Sequence, residues 1–239
     1  VGSGHPVASA IQWAGSLLVP SQKVCTWTTT STWSEVLAKL GVDADSIEEP
    51  HALPDDFRTA LAPILDAVAE ALDARDTAIG AWPGDVEDLY AVAATLLLQA
   101  PGGQGLDPGE DEAWGFLAEG FDRERMFTAA ARLALTVEQA DLARFAGRDG
   151  IEQVLSQPRG AFVLRGSVDD ELTPEKIDGP ILFLLDTGGD DVYRVPVGAP
   201  RGVESGVGVA VDLGGHDTYA YDEVPDPEDV GRLPSDQDG

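Results

Sequence analysis

Residues 181–193 read ILFLLDTGGDDVY, and residues 208–219 read GVAVDLGGHDTY. Each segment is an apolar run followed by the pattern Asp-x-Gly-Gly-x-Asp-x-Tyr, and Asp212 of the second copy lies 26 residues after Asp186 of the first. The apolar runs are typical of short buried strands, and the paired glycines supply the positive φ of a tight turn. Because such a unit buries its faces by stacking on its own copies, the pattern predicts a short, solenoid-like β region.

The residues before this repeat follow a helical pattern instead. Apolar residues recur at spacings of three and four, most clearly at Phe57, Leu61, Ile64, Leu65, Val68 and Leu72. The spacing predicts helices over residues 34–40, 55–72, 85–99, 110–119, 122–145 and 151–156. A short strand is expected over 161–165, followed by a polar loop over 167–178.

The chain is therefore expected to be an α+β protein, with an N-terminal all-α helical region followed by a short repetitive β region. The expected domains are an irregular N-terminal arm (1–33), an α-helical domain (34–157), a β-repeat region (158–222) and an acidic tail (223–239). Residues 7–19 are too few and too polar to span a bilayer, so no membrane span is expected. Since two copies are too few for a stable solenoid, further repeats beyond Gly239 or a partner chain are expected to complete the β region.

The composition excludes some partners. The chain has 43 acidic and 15 basic residues, for a net charge of −28. Nucleic acid is not expected as a partner, because binding phosphates requires clustered lysine and arginine. Three origins of the acidity stay open: adaptation to salt, a cation-binding surface, or a genome that favours aspartate.

The repeat also places carboxylates at glycine-rich turns. Ca²⁺ prefers six to eight oxygen ligands, which such turns supply. The candidate metal ligands are Asp186, Asp190, Asp191, Asp212 and Asp217, and Ca²⁺ is the expected cofactor. The alternative is that these aspartates only form turns, since their side chains bond to nearby backbone amides without any metal.

The segments Gly189-x-Asp191-x-Tyr193 and Gly215-x-Asp217-x-Tyr219 resemble the second half of the repeats-in-toxin nonapeptide. In that family, glycine–aspartate turns bind Ca²⁺ between the coils of a parallel β-roll. The chain also resembles bacterial surface-type proteins with repeated Asp-x-Gly-Gly-Asp-Asp-x-Tyr units, for which the resemblance implies no activity. Together these resemblances imply a structural or interaction module, part of a larger exported or cell-surface bacterial protein.

One enzymatic alternative remains. Residues 184–191 (LLDTGGDD) resemble the active-site loop of the retroviral-type aspartic proteases, in which two aspartates share a proton and activate water. Asp186 would then be the catalytic residue of a hydrolase. Against this, the second copy has Leu213 where the protease loop needs a hydroxyl, and two copies only 26 residues apart do not form two protease lobes.

Overall fold

The structure is a computed structural model that describes residues 5–18, 31–42, 53–86, 89, 112, 113, 115–177, 179–198 and 206–220. The described residues fall into two compact units, one reaching Arg75 and resuming at Arg123, the other lying between Asp76 and Asp122. The protein is α+β, with helices first and strands after, as the sequence predicts. Within the described ranges, no helix combines the length and apolar character needed to cross a membrane.

Four α-helices whose bounds lie within the described residues precede the strands. They are α1 (Pro6–Leu18), α2 (Trp33–Leu40), α3 (Asp55–Ile79) and α4 (Arg123–Gln139), with a π-helical turn at Phe116–Gly120 and a 3-10 turn at Leu142–Phe145. The predicted stripe of α3 is confirmed, since all six of its apolar side chains are buried. Pro63 lies inside α3 without ending it. The predicted helix over 85–99 lies mostly outside the described residues. Within that range, Val86 and Leu89 are described and are helical.

Helix α2 has well-defined ends. Thr32 Oγ1 accepts a hydrogen bond from the Glu35 amide at 3.4 Å, and the Glu35 carboxylate accepts one from the Thr32 amide at 2.8 Å. This reciprocal capping box satisfies two backbone donors that the first helical turn leaves free. Gly41 closes the helix with a φ of +73°, as the sequence predicts.

Thr32→Ala is expected to lower the free energy of unfolding by about 1 kcal/mol, because the Glu35 amide loses its acceptor. Urea unfolding followed by circular dichroism measures the change. Ser34→Ala is the control, since Ser34 is exposed in the same turn. Equal effects of the two substitutions would contradict the role given to the cap.

Ion pairs to one buried carboxylate join the helices. Lys39 Nζ of α2 lies 2.8 Å from Asp66 Oδ1 of α3, and Asp66 is 4% exposed. Arg132 of α4 approaches the other oxygen of Asp66 at 3.7 Å. Three helices thus share one buried carboxylate, which cations face on two sides.

The strands form two sheets. The first has the order β1 (Glu152–Gln157), β2 (Gly160–Arg165), β4 (Ile181–Asp186), β6 (Val209–Asp212). Strand β1 is antiparallel to β2, whereas β2, β4 and β6 are parallel. The second sheet joins three two-residue strands, β3 (Glu171–Leu172), β5 (Val192–Tyr193) and β7 (Thr218–Tyr219), all parallel.

The central strands β2 and β4 are buried on both faces. Phe162, Leu164, Phe183 and Leu185 pack in one core with the side chains of α2 and α3. Another core contains Ala161, Val163, Ile181 and Leu184, together with Leu172 and Tyr193 of the second sheet. Burial on both faces explains the continuous apolar run at 181–185, which is typical of parallel strands.

The second unit has a small core of its own. Ile79, Leu89 and Ala113 are buried there. Phe116 packs against Trp82, with ring centroids 5.3 Å apart, and against Phe121 at 6.3 Å. The predicted helix over 110–119 is helical at its described positions, but ends in the π-helical turn.

Four predictions of secondary structure are wrong. Residues 6–18 of the expected irregular arm form α1, and residues 152–157 of the expected α-helical domain form β1 rather than a helix. Pro158 belongs to the two-residue turn of the β1–β2 hairpin, since Gln157 pairs with Gly160. The helix expected over 122–145 ends at Gln139, and the expected loop over 167–178 contains β3. The expected acidic tail, 223–239, lies outside the described residues.

Helix α1 depends on a distant residue. The Val7 and Ala8 amides donate to the Glu138 carboxylate of α4 at 2.7 and 3.3 Å. A carboxylate at this end also complements the helix dipole. Because the capping group lies 130 residues away in the sequence, local patterns could not indicate where α1 begins.

Candidate functional site

The described strands arrange the repeat as three stacked segments, each a strand, a turn and a two-residue strand. We call them rungs: the first runs from β2 to β3, the second from β4 to β5, and the third from β6 to β7. Parallel pairing places equivalent residues side by side. Arg165, Asp186 and Asp212 align at the ends of the long strands, and Leu172, Tyr193 and Tyr219 align in the short ones.

The first rung is a copy that sequence reasoning missed. Its turn reads Arg165-Gly-Ser-Val-Asp-Asp170-Glu-Leu172, without the Gly-Gly pair and with arginine in place of the first aspartate. The signal that could have revealed it is the pair Asp169-Asp170, which stands at the same distance from Arg165 as Asp190-Asp191 from Asp186. The first rung also lies 21 residues before the second, whereas the second lies 26 residues before the third. The three copies therefore have no constant period in the sequence.

Each repeat aspartate at the end of a long strand closes its own turn. Asp186 Oδ1 accepts from the Gly188 amide at 2.9 Å, and Asp212 Oδ1 accepts from the Gly214 amide at 3.0 Å. This is the bond that aspartate typically makes to the backbone two residues on. The turn-forming alternative considered for these residues therefore describes what both carboxylates do in the structure.

Two further positions link one rung to the next. In the outer ladder, Asp169 Oδ1 accepts from the Asp190 amide, and Asp190 Oδ1 accepts from the His216 amide, both at 2.9 Å. In the inner ladder the direction reverses. The Asp170 amide donates to Asp191 Oδ1 at 2.6 Å, and the Asp191 amide donates to Asp217 Oδ1 at 2.9 Å. Side chains therefore hold the turns in register where the backbone is irregular.

The glycines allow the turns to stack closely. Gly188, Gly189, Gly214 and Gly215 all have positive φ, between +122° and +158°. A Cβ atom on Gly189 would lie 3.0 Å from the carbonyl carbon of Val168 in the rung before it. The predicted role of the Gly-Gly pair in the turns is confirmed.

Four aspartates form what we call the inner carboxylate cluster: Asp186, Asp191, Asp212 and Asp217. Asp186 is 1% exposed and Asp191 is 3% exposed. Burial raises the pKa of Asp186 above its ordinary value, although the Gly188 amide and the Tyr193 hydroxyl, which donates at 2.9 Å, counteract the rise. Burial, and then the neighbouring charge of Asp186, raise the pKa of Asp191 to about 7.

Asp191 and Asp212 each face another carboxyl group. The second oxygen of Asp191, Oδ2, is buried and accepts no hydrogen bond from any described residue. Asp212 is exposed at the end of β6, but partial loss of solvent around its carboxyl and hydrogen bonding with Asp217 raise its pKa to about 6. The cluster therefore favours taking up protons, because like charges that interact this strongly disfavour ionisation.

In the first rung, basic side chains of the same chain balance the charge of the carboxylate. Arg165 is 6% exposed, and its Nη1 atom lies 3.3 Å from Asp170 Oδ2 and 3.1 Å from Glu152 Oε1. Lys176 Nζ lies 3.3 Å from Asp170 Oδ1. Where the second and third rungs place two carboxylates, the first rung places one carboxylate with two cations.

The structure thus separates the five predicted ligands. It brings Asp186, Asp191, Asp212 and Asp217 together, and places Asp190 in the exposed outer ladder. Within the part of the chain that the structure describes, no group of three or more histidine, cysteine, aspartate or glutamate side chains is arranged to hold a metal ion. Comparisons with protein-family models, curated proteins and solved structures found no match to this chain.

Proposed function

We propose that the chain is a structural or interaction module, in which helices cover one face of a short β-solenoid-like stack. The observation that supports it best is the in-register parallel pairing of β2, β4 and β6, repeated by β3, β5 and β7. Successive rungs bury their apolar faces against one another, which is how repeat proteins build a core. Such a module presents its turns and its last rung to partners.

We also propose that Ca²⁺ binds at the inner carboxylate cluster. The comparison between rungs supports this, because the first rung supplies Arg165 where the others have a second carboxylate. An ion would balance the carboxylates of the second and third rungs, as the guanidinium of Arg165 balances Asp170 in the first. The aspartates would supply the oxygen ligands that Ca²⁺ prefers. The Oδ2 atom of Asp191, which accepts no hydrogen bond from any described residue, would be one ligand, while Oδ1 keeps its bond to the Asp170 amide.

A calcium titration followed by thermal unfolding tests this proposal. Saturation a hundredfold above the dissociation constant stabilises a protein by about 2.7 kcal/mol, which corresponds to a rise in Tm of about 5 to 10 °C for a chain of this size. The wild type should respond and Asp217→Asn should not. Asp190→Asn, which removes an exposed carboxylate outside the cluster, should keep the response. An unchanged Tm at millimolar Ca²⁺ would exclude binding of the ion, but it would not count against the proposed stack of rungs.

No observation favours the aspartic hydrolase alternative. Asp186 is 1% exposed, and both of its oxygens accept hydrogen bonds within the second rung. A catalytic carboxylate must reach its substrate, which this position does not permit without opening the turn. Activity centred on Asp186, like export to the cell surface, stays a prediction from the sequence.

A further inference from the structure

The two ends of the first sheet differ. At one end, β1 pairs antiparallel with β2 and covers its outer edge. At the other end, β6 is the last strand, and among the described residues nothing pairs with its outer edge. A sheet edge without a pairing strand presents a row of backbone donors and acceptors, which is a template for another strand.

The backbone hydrogen bonds of the turns form a series that stops at the third rung. The Thr187 amide donates to the Arg165 carbonyl at 3.2 Å, and the Leu213 amide donates to the Asp186 carbonyl at 3.1 Å. The next acceptor in this series is the Asp212 carbonyl. A parallel strand beside β6 would continue it, whereas an antiparallel strand would not.

The two side-chain ladders stop there too. In the inner ladder, the Asp170 and Asp191 amides each donate to the aspartate of the following rung, and no described residue accepts from the amide of Asp217. In the outer ladder, the equivalent position of the third rung is His216, whose side chain is 96% exposed. The inner ladder therefore specifies an aspartate aligned with Asp217 in a segment that follows.

The exposed ring of the third rung is a further docking feature. Tyr219 stacks on Tyr193 with centroids 5.0 Å apart and an interplanar angle of 21°, and Tyr219 is still 52% exposed. Beside β6 lies a cavity of about 510 Å³, lined by apolar residues that include Val209, Val211, Met126 and Ala130. A docked segment with an aromatic ring beside β7 would continue the stack of Tyr193 and Tyr219. Apolar side chains beside β6 would fill the cavity.

Close approach between the turns limits the occupant further. A Cβ on Gly215 would overlap the Gly189 carbonyl oxygen, so each added rung needs glycine at this position. Residues 221–239 contain no Gly-Gly pair and no apolar run, so this segment does not carry the pattern of a fourth rung. A second copy of this chain does not fit in parallel orientation either, because its own β1 covers the edge that would have to dock.

From these observations we propose that the outer edge of the third rung binds an extended segment of a different chain that carries the Asp-x-Gly-Gly-x-Asp-x-Tyr pattern, as a fourth parallel rung. The inference rests on the proposed function, since it takes the stack of rungs as the scaffold. The bound segment supplies an aspartate to the Asp217 amide, a glycine beside Gly215 and a ring over Tyr219. This is strand addition to a sheet edge, with alternate side chains providing specificity.

A synthetic peptide with the sequence of residues 206–220 serves as the probe, titrated into the full chain in millimolar calcium chloride. Binding is measured by fluorescence anisotropy of the labelled peptide, and amide hydrogen exchange is measured on the chain. The proposal expects saturable binding and slower exchange of the Asp217 amide. Peptides in which the residue equivalent to Gly215 or Asp217 is alanine should bind about tenfold more weakly or worse, through a steric clash and a lost charge-assisted hydrogen bond respectively.

Three results would overturn the inference: no saturable binding, equal binding of the alanine peptides, or chains that pair with each other at this edge while the peptide fails to compete. Amide hydrogen exchange measured without peptide shows whether such a result counts against the docking edge or against the proposed stack of rungs. Slow exchange of the Thr187 and Leu213 amides without peptide shows an intact stack, so that a peptide failure counts against the docking edge only. Fast exchange of both amides would instead count against the stack itself.

Discussion

Gly215→Ala is expected to destabilise the protein by about 3 kcal/mol or more, in the range of substitutions that combine a steric clash with a strained backbone. Gly215 has a φ of +137°, and its added Cβ would overlap the carbonyl oxygen of Gly189 in the rung before it. Neither backbone can retreat without breaking the outer ladder between Asp190 and His216. Urea unfolding followed by circular dichroism measures the loss.

Gly214→Ala is the matched control for that experiment. Gly214 has a φ of +158°, and a Cβ there would meet no atom within 4 Å. This substitution carries the backbone strain without the clash and should cost about 1 kcal/mol. If the two variants lost equal stability, the close approach of the second and third turns would not be a determinant of the fold.

Asp191→Asn is expected to stabilise the protein at pH 8 without calcium, by about 1 to 3 kcal/mol, since each pKa unit is worth about 1.4 kcal/mol. Asparagine matches the shape of the protonated carboxyl, so it still accepts from the Asp170 amide and donates toward Asp186. It removes one of the charges that burial and Asp186 make unfavourable. Chemical unfolding in the presence of a chelator measures the gain.

The same substitution should change the dependence of stability on pH. The pKa of Asp191 rises from 3.8 to about 7 in the folded protein, so the native state binds this proton more tightly than the unfolded chain does. Its contribution to stability is therefore complete below about pH 4 and is lost as the pH rises through about 7. Wild-type protein without calcium should lose stability between pH 5 and pH 8, and Asp191→Asn should lose less.

Asp190→Asn provides the control for both measurements, because Asp190 lies in the exposed outer ladder rather than in the cluster. Its stability should follow the wild type across the pH range. A wild-type protein that kept or gained stability from pH 5 to pH 8 would contradict the charge balance described for the cluster, in which the raised pKa values predict a loss.

The sequence indicated those parts of the fold whose signals are local. The stripe along α3, the glycine that ends α2 and the two Asp-x-Gly-Gly turns each depend on residues close in sequence, and each is present. Residues 152–157 were misread because Val154 and Leu155 suit a helix or a strand equally, and only pairing with β2 decides between them. Helix α1 was missed because its cap, Glu138, comes from α4.

The candidate site could be predicted in its residues but not in its charge balance. The five aspartates were evident from the repeat, whereas the first rung was not, since Arg165 hides its relation to Asp186 and Asp212. Only parallel pairing shows that these three residues are equivalent. The alignment identifies Arg165 as the counterpart of Asp186 and Asp212. Its ion pairs therefore show how the charge of a carboxylate is balanced at this position of a rung.

The antiparallel strand β1 also has a consequence for how such a protein can vary in length. Because β1 occupies one edge of the stack, insertion of a rung before β2 would separate a paired hairpin and expose the core that the helices cover. Duplication after β7 disturbs neither, since each new rung needs contacts only with its predecessor. A change in the number of rungs is therefore expected on the C-terminal side of the stack, where it leaves the helices and the β1–β2 hairpin intact.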